Sequence, residues 1–421
     1  MRSARLWKRL LGVEHTVIEQ VRFDEDAQAV VARVRPTRSR RRRCPRCARR
    51  CPGYDQGEGR RRWRALDLGV IQAFLEADAP RVCCPEHGVI VAAMPWARPG
   101  AWFTRGFEDT CAWLAVHTSR SAVGELLRVA WRTVGRVCTR VAAEQATRVD
   151  RFAGLRRIGV DEIAYKKGHR YLTVVVDHDT GWLVWAAPGR DEQTLERFFD
   201  TLGDDRARKL THLSADAAAW IANVAARRCP QAVLCLDPFH VVKWATDALD
   251  VVRRETWNAA RKGGETAVAK ELKGARFALW KNPADLTRRQ RAKLARIAEI
   301  NRSLYRAYLL KEELRLVFRV KGGQGVALLD AWLSWARRCR IPAFVALAKA
   351  VAAHRAGIVA ALQYGLSNAR VESVNTKLRV LTRLAFGFRS PEALIGLAML
   401  SVGGLCPDLP GRAQPNPRIC Q

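Results

Sequence analysis

The spacing of apolar and polar side chains divides the chain into stretches of different character. HTVIEQVRF and AQAVVARVRP, within the first 36 residues, alternate apolar and polar positions around the turn-forming DEDA and predict a two-stranded hairpin. RRWRALDLG and QAFLEADAP repeat that pattern and predict a second hairpin. From about Phe103 to Ala146 the apolar step changes to three and four residues, which predicts an all-helical module. Alternation returns in LRRIGVDEIAYKK, HRYLTVVVDHD and GWLVWAAPGRD, three consecutive strands. A helix-like QTLERFFDTLG, the strand of THLSADAAA, a further helix and the strand of AVLCLDPFH continue them in α/β order. Between Val241 and Leu362 almost no alternation remains, and the Arg- and Lys-rich text predicts a long helical segment. A final helix, SNARVESVNTKLRVLTRLA, precedes the proline-rich tail PDLPGRAQPNPRICQ.

These stretches suit several domains, since 421 residues exceed the ~100 to 200 of one typical unit. The expected division is a hairpin and metal-binding module over 1–100, a helical module over 101–150, and an α/β core over 151–244. A basic helical insertion over 245–360, the last core helices over 361–405 and a tail over 406–421 complete it. The fold class is multidomain α/β. Composition adds a partner: 73 Lys and Arg against 41 Asp and Glu give a formal charge of +32, which points to a polyanion. A hydrophobic content of 48% with 14 Trp places that charge on folded domains rather than on a disordered tail. The apolar part of MRSARLWKRLLGVEH is too short for a signal peptide, and the 14-residue run Ala393 to Cys406 falls short of the ~20 residues that span a bilayer. A cytoplasmic, nucleoid-associated protein is expected.

Five of the twelve cysteines lie between residues 44 and 84, where a reducing compartment favours metal binding over disulfides. Cys44-Pro45-Arg46-Cys47 and Cys84-Pro85-Glu86-His87 each present two soft ligands on a tight turn, and four such ligands suit tetrahedral zinc. Cys51 and Cys83 are alternative ligands. Arg41, Arg42, Arg43, Arg61 and Arg62 flank this module as candidate phosphate contacts. Further on, the text from Ser121 to Cys138 divides into a short helix, a turn near Val129 and a second helix carrying Arg132, Thr133, Arg136 and Arg140. That is the form of a helix-turn-helix, with the second helix reading a major groove. Trp280, in FALWKNP, is an aromatic in a basic setting; it is either a stacking residue for an extruded base or a core residue of the helical segment.

Three carboxylates complete the set. Asp161 lies at the end of an apolar strand, Asp216 follows one, and strand ends of an α/β sheet are where oxygen ligands gather hard divalent cations. Glu372 sits on the late helix, with Asn368 and Asn375 four residues before and three after on the same face. Asp237, in LDPFH beside His240, is a rival for the second position because it too follows a strand; strand counting favours Asp216.

The order strand, strand, strand, helix, strand, helix, strand and late acidic helix resembles the RNase H-like core of the DDE transposases and retroviral integrases. VDEIAYKKGHRYLTVVVD, LDPFHVVK, KNPADLT, NRSLYRAYLLKEELR and SNARVESVNTKL resemble, more narrowly, the ISL-three family of bacterial insertion-sequence transposases. That resemblance implies a zinc finger, a helix-turn-helix and a catalytic core interrupted by a helical insertion. It implies Asp161, Asp216 and Glu372 as catalytic ligands of two Mg2+ or Mn2+ ions, with Asp237, His240, Asn368 and Asn375 in support. The expected partners are double-stranded DNA, as terminal inverted repeats and target, and further copies of the chain in the DNA complex. The expected activity is phosphodiester cleavage and transfer of 3′-hydroxyl ends. The AAAW after Asp216 is less polar than the family pattern. A zinc and helix-turn-helix regulator without catalysis, and a nuclease that does not join strands, are the readings from other classes.

Overall fold

In the computed structural model, which describes residues 2–412, the chain forms two compact units. One comprises the residues up to Arg151 together with those from Val380; the other runs from Phe152 to Arg379. Residues 413–421, part of the expected tail, lie outside the described residues.

The first unit starts with α1 (Arg2–Leu10), followed by β1 (Thr16–Asp24), β2 (Ala29–Pro36), β3 (Gly53–Asp55), β4 (Arg60–Arg64), β5 (Gln72–Asp78), β6 (Arg81–Cys84) and β7 (Gly88–Val91). Both predicted hairpins form. β1 pairs antiparallel with β2 and β4 with β5, and a parallel β2–β5 contact joins them into one sheet of order β1-β2-β5-β4. A second sheet, β3-β6-β7, carries the metal-binding text. Trp63, Leu75, Val82 and Trp96 are buried in the core of this module, with Trp63 meeting Trp96 edge to face at 5.5 Å.

The helical module follows as α2 (Arg105–His117), α3 (Arg120–Leu127) and α4 (Trp131–Arg148). Thr104 and Ser119 cap the first two helices by accepting from the amides of Phe107 and Ala122. The turn between α3 and α4 is tight: Arg128 is left-handed at φ 53°, and the Val129 amide donates to the Gly124 carbonyl at 2.8 Å. A Cβ on Gly124 would lie 2.7 Å from the Val129 carbonyl oxygen, so only glycine admits this turn.

The second unit holds β8 (Arg157–Lys166), β9 (Arg170–Asp177), β10 (Leu183–Pro188), α5 (Glu192–Leu202), α6 (Asp204–Ala207), β11 (His212–Ala215), α7 (Ala219–Arg228) and β12 (Val233–Leu236). Its sheet has the order β10-β9-β8-β11-β12, antiparallel on the β10 side and parallel from β8 to β12. This is the RNase H-like arrangement. Ile158, Val160, Leu213 and Ala215 pack on α5 and α7 through Leu195, Phe198, Phe199, Ile221 and Val224. Because successive strand side chains alternate, Gly159 and Asp161 on β8, with Ser214 and then Asp216 along β11, belong to the opposite face.

After β12 the chain is helical: α8 (Pro238–Lys262), α9 (Thr266–Leu272), α10 (Arg276–Trp280), α11 (Arg288–Ile300), α12 (Arg302–Val320), α13 (Gly322–Arg338), α14 (Pro342–Ala353) and α15 (Arg355–Tyr364). They enclose their own core around Trp332, Phe344, Leu310 and Tyr308. α16 (Ala369–Leu384) then lays Val371 against Gly159. The division between the units falls inside α16, after Arg379, although 361–405 reads as one piece in the sequence. α17 (Pro391–Val402) explains this: it buries Leu394, Leu397 and Leu400 and packs on α4, with Gly396 close to the Thr139 backbone. The longest apolar run is therefore a core helix of the first unit. Among the described residues no single helix is long and apolar enough to cross a membrane.

Candidate active site

The second unit's sheet brings the three carboxylates together by register, although Asp161 stands in the middle of β8, paired with Val174 of β9, and not at a strand end as expected, because β8 runs on to Lys166. Ser214 pairs with Gly159 on one side and with Cys235 on the other, so Asp161 within β8 and Asp216 and Asp237 directly after β11 and β12 each lie two residues beyond this paired row. All three share the face that receives α16. Asp161 accepts from the Glu162 amide at 2.8 Å through Oδ1 and from the Asn375 side-chain amide at 2.8 Å through Oδ2. Burial pushes its carboxyl up to about 6; the nearby His240 opposes this, while the charges of Asp216 and Glu372 add to it.

The two rivals for the second position differ in what they already hold. Asp237 is 4% exposed and both its oxygens are engaged, Oδ1 by the Asn368 amide at 3.0 Å and Oδ2 by His240 Nδ1 at 2.8 Å. That hydrogen bond raises the pKa of His240, against the opposing effect of burial. Asp216 is half-buried and accepts from the Ala218 amide at 3.0 Å through Oδ1.

α16 is fastened to the sheet through Asn368. Its backbone amide donates to Asp237, its side-chain amide donates to the Val160 carbonyl at 3.3 Å, and its carbonyl oxygen accepts from the Glu372 amide at 2.7 Å. Its Oδ1 accepts from the Ser214 hydroxyl, which also meets His178 Nε2 at 2.7 Å. Glu372 lies one turn beyond Asn368 and is more than half exposed, with Arg379 at 2.7 Å. Asn375 is fully buried, and its Oδ1 has no hydrogen-bond donor. A buried acceptor without a donor beside clustered carboxylates suits a cation. Ser214, His178 and Gly159 were not singled out in the sequence; the period-two spacing of Ser214 and Gly159 from Asp216 and Asp161 is the signal that would have found two of them.

In the first unit, ligand atoms of Cys44, Cys47, Cys84 and His87 lie within 4.8 Å of one another. The Cys47–Cys84 sulfurs are 3.6 Å apart and His87 Nδ1 is 3.7 Å from Cys44 and 3.5 Å from Cys84. Zinc–sulfur bonds of ~2.3 Å imply tetrahedral edges of about 3.8 Å, so the cage fits zinc. Burial raises the Cys84 thiol, but hydrogen bonds from His87 and the backbone outweigh it and bring it down to about 6. Cys51 is buried beside the cage with its thiol donating to the Arg49 carbonyl, and Cys83 points outward, so neither belongs to the group of four.

The arginines divide by what they touch. Arg43 wraps the zinc turn through the Ser39 and Ala48 carbonyls, and Arg61 stacks on Trp102 at 3.9 Å while donating to the Ala101 carbonyl. Arg62 bonds Glu76 and Asp24. Those three are committed within the fold. Arg41 and Arg42 instead line a groove of about 590 Å³ with Arg33, Arg35, Arg60 and Arg81. On α4, Arg132 and Arg136 are exposed and Thr133 half-buried, whereas Arg140 turns inward to the buried Glu108 at 3.0 Å. Trp280 is half-buried against the insertion core, its ring covered by the Arg276 guanidinium at 3.8 Å.

Three family models match the chain: residues 158–397 a DDE model described as transposase, residues 92–142 the helix-turn-helix domain of transposase family ISL3, and residues 40–87 the zinc-finger of transposase IS204/IS1001/IS1096/IS1165. Zinc ribbon, helix-turn-helix and RNase H-like core together define a DDE transposase, an enzyme acting on DNA. The chain belongs to the ISL3 family of insertion-sequence transposases. It is 58% identical over 445 aligned residues, covering all of both chains, to the transposase for insertion sequence element IS1557 of Mycobacterium tuberculosis. It is 26% identical to the transposase for element IS1001 of Bordetella parapertussis, over 93% of this chain and 96% of that one.

Proposed function

We propose that the protein binds the terminal inverted repeats of its element in the cytoplasm as a homo-oligomer, cleaves the element ends and joins the freed 3′-hydroxyls to target DNA. Asp161, Asp216 and Glu372 hold two divalent ions, Mg2+ or Mn2+, in this reading. The observation that carries it is the placement of Asp161 on β8 and Asp216 just past β11, each two residues beyond the paired Gly159 and Ser214, with Asn368 and Asn375 tying the Glu372 helix to that row. When bound, the ions activate the attacking oxygen and stabilise the leaving one. The chain supplies the frame. Asn375 orients Asp161 by its hydrogen bond, and Asp237 takes the supporting role because it is buried and bound to His240 and Asn368, whereas Asp161 and Asp216 stay half-buried. His240, held over Asp237 and close to the charges of Asp161 and Asp216, keeps a proton at Nδ1 directed at Asp237 and adds positive character to a crowded anionic site.

In the first unit, Cys44, Cys47, Cys84 and His87 hold a structural zinc ion, Arg41 and Arg42 meet the phosphate backbone, and Arg132, Thr133 and Arg136 enter a major groove. The experiment is a gel assay with labelled element ends, a target plasmid and either ion. Wild-type protein should nick and join, Asp161→Ala and Asp216→Asn should do neither, and Asp237→Asn should retain measurable joining. Full strand transfer by purified Asp161→Ala would overturn the assignment, and activity in Asp216→Asn but not Asp237→Asn would reverse the two roles.

A further inference from the structure

α8 begins at Pro238, whose ring fixes φ at the first helical position, so the residues that follow are set by the helix rather than by a loop. On either side of Phe239 the side chains of Asp237 and His240 turn to each other and to the carboxylate row. Val241, Ala245 and Leu249 give α8 its buried stripe. Phe239 faces elsewhere: it is 71% exposed and touches His240 only edge-on, with ring centroids 5.8 Å apart and planes at 89°. One helical turn on, Lys243 stands on the same exposed side, paired with Asp247 at 2.6 Å. A phenyl ring left in water contributes little to folding. Here it sits one residue from His240, which bonds Asp237, with a cation a turn away, in a chain of charge +32.

We propose that Phe239 stacks on a nucleobase of the nucleotide beside the scissile phosphate, with Lys243 drawn from Asp247 to the neighbouring phosphate. The inference rests on the catalytic reading above, since it places the scissile phosphate at Asp161 and Asp216. A nucleobase is the occupant because the partner is a polyanion and the base is its one flat apolar surface within reach of a phosphate. Every base has such a face, so the contact selects an accessible base rather than a sequence. Stacking of this kind is worth on the order of tenfold in affinity.

The test is a cycle between ring and base. A fluorescently labelled duplex carrying the inverted repeat beside the chain's own gene is prepared intact and with a single abasic nucleotide at each position around the cleavage site. Affinities are read by anisotropy for wild type, Phe239→Ala and Phe239→Trp. Phe239→Ala should weaken binding of the intact duplex about tenfold, with an unchanged melting temperature. At one abasic position next to the cleaved bond that loss should vanish, because wild type falls to the level of the variant; Phe239→Trp should behave as wild type. An equal loss at every abasic position, or no loss on the intact duplex, overturns the stacking assignment. Metal-dependent cleavage of the same duplex, lost in Asp161→Ala, reports separately on the catalytic reading: cleavage without ring–base coupling removes Phe239 alone, and no cleavage by wild type removes both.

Discussion

Gly159→Ala tests the claim that the site is set by how closely α16 approaches the sheet. A Cβ at residue 159 would lie 2.4 Å from Val371 Cγ2, 2.9 Å from His178 Nε2 and 3.1 Å from the Ser214 hydroxyl. Ordinary contact begins at 3.4 Å, so α16 must withdraw by about 1 Å. Val371 is fully buried, so its methyl cannot swing out into solvent. Overpacking of this kind costs about 1–3 kcal/mol, and in a unit of this size each kcal/mol lowers the melting temperature by roughly 2–4 °C. The larger effect is on catalysis. Glu372 is the next residue along and Asn375 is one turn on, so a shift of ~1 Å should lower the end-cleavage rate about a hundredfold at saturating metal. Thermal unfolding and single-turnover cleavage of a labelled end measure the two effects. Gly159→Ala with Val371→Ala restores room and should recover much of both losses, a non-additivity expected only for residues in contact. A Gly159→Ala protein with wild-type stability and rate would refute the close-approach argument, as would a double variant no better than the sum of its parts.

Two further outcomes follow from the buried groups. Cys84→Ser should abolish bound zinc and, because a structural zinc site carries ~10–16 kcal/mol of apparent binding energy, unfold the zinc module, whereas Cys51→Ser and Cys83→Ser should keep the metal. Zinc content by atomic emission with near-ultraviolet dichroism checks this, and retention of zinc by Cys84→Ser would contradict the four-ligand cage. His178 has its pKa lowered from 6.5 to about 4, by burial first and then by Arg370 and Arg157. The unfolded histidine then binds a proton across that window while the folded one does not, so its contribution is complete above pH 6.5, falls as pH drops towards 4 and is constant below. The loss should reach about 3 kcal/mol by pH 4, and denaturant titrations of His178→Gln should lack it. Identical pH slopes in the two proteins would remove His178 from the account.

What the sequence disclosed was what local pattern determines. The zinc ligands were legible because both pairs sit on single turns, and the strands were legible because each has one face buried. Charge runs were less informative. The run RRRWR reads as one basic patch, yet β4 alternates: Arg61 shares a side with Trp63 and stacks on Trp102, while Arg60 and Arg62 face Glu76. The groove gathers Arg33, Arg35, Arg41, Arg42, Arg60 and Arg81 from separate strands and loops, and no run in the text joins them. α17 was legible as an apolar stretch, but its partners α2 and α4 lie more than 240 residues away, and nothing local names them.

Asp216 and Asp237 show where pattern stops. Each follows an apolar strand and precedes a helix, and parallel pairing in the same register puts both on the α16 face, so sequence alternation does not separate them. What separates them is burial and partner: Asp216 stays half-buried and open, whereas Asp237 is buried against His240 and the start of α16. Asp237 has given one oxygen to the Asn368 amide and the other to His240, and it does so because Asn368 starts the helix that carries Glu372. Removing the Asp237 carboxylate therefore loosens α16, and removing the Asp216 carboxylate leaves α16 in place and takes away a ligand. Thus Asp237→Asn should weaken metal affinity less than it weakens turnover, while Asp216→Asn should abolish both, a split that a metal titration of cleavage reads directly.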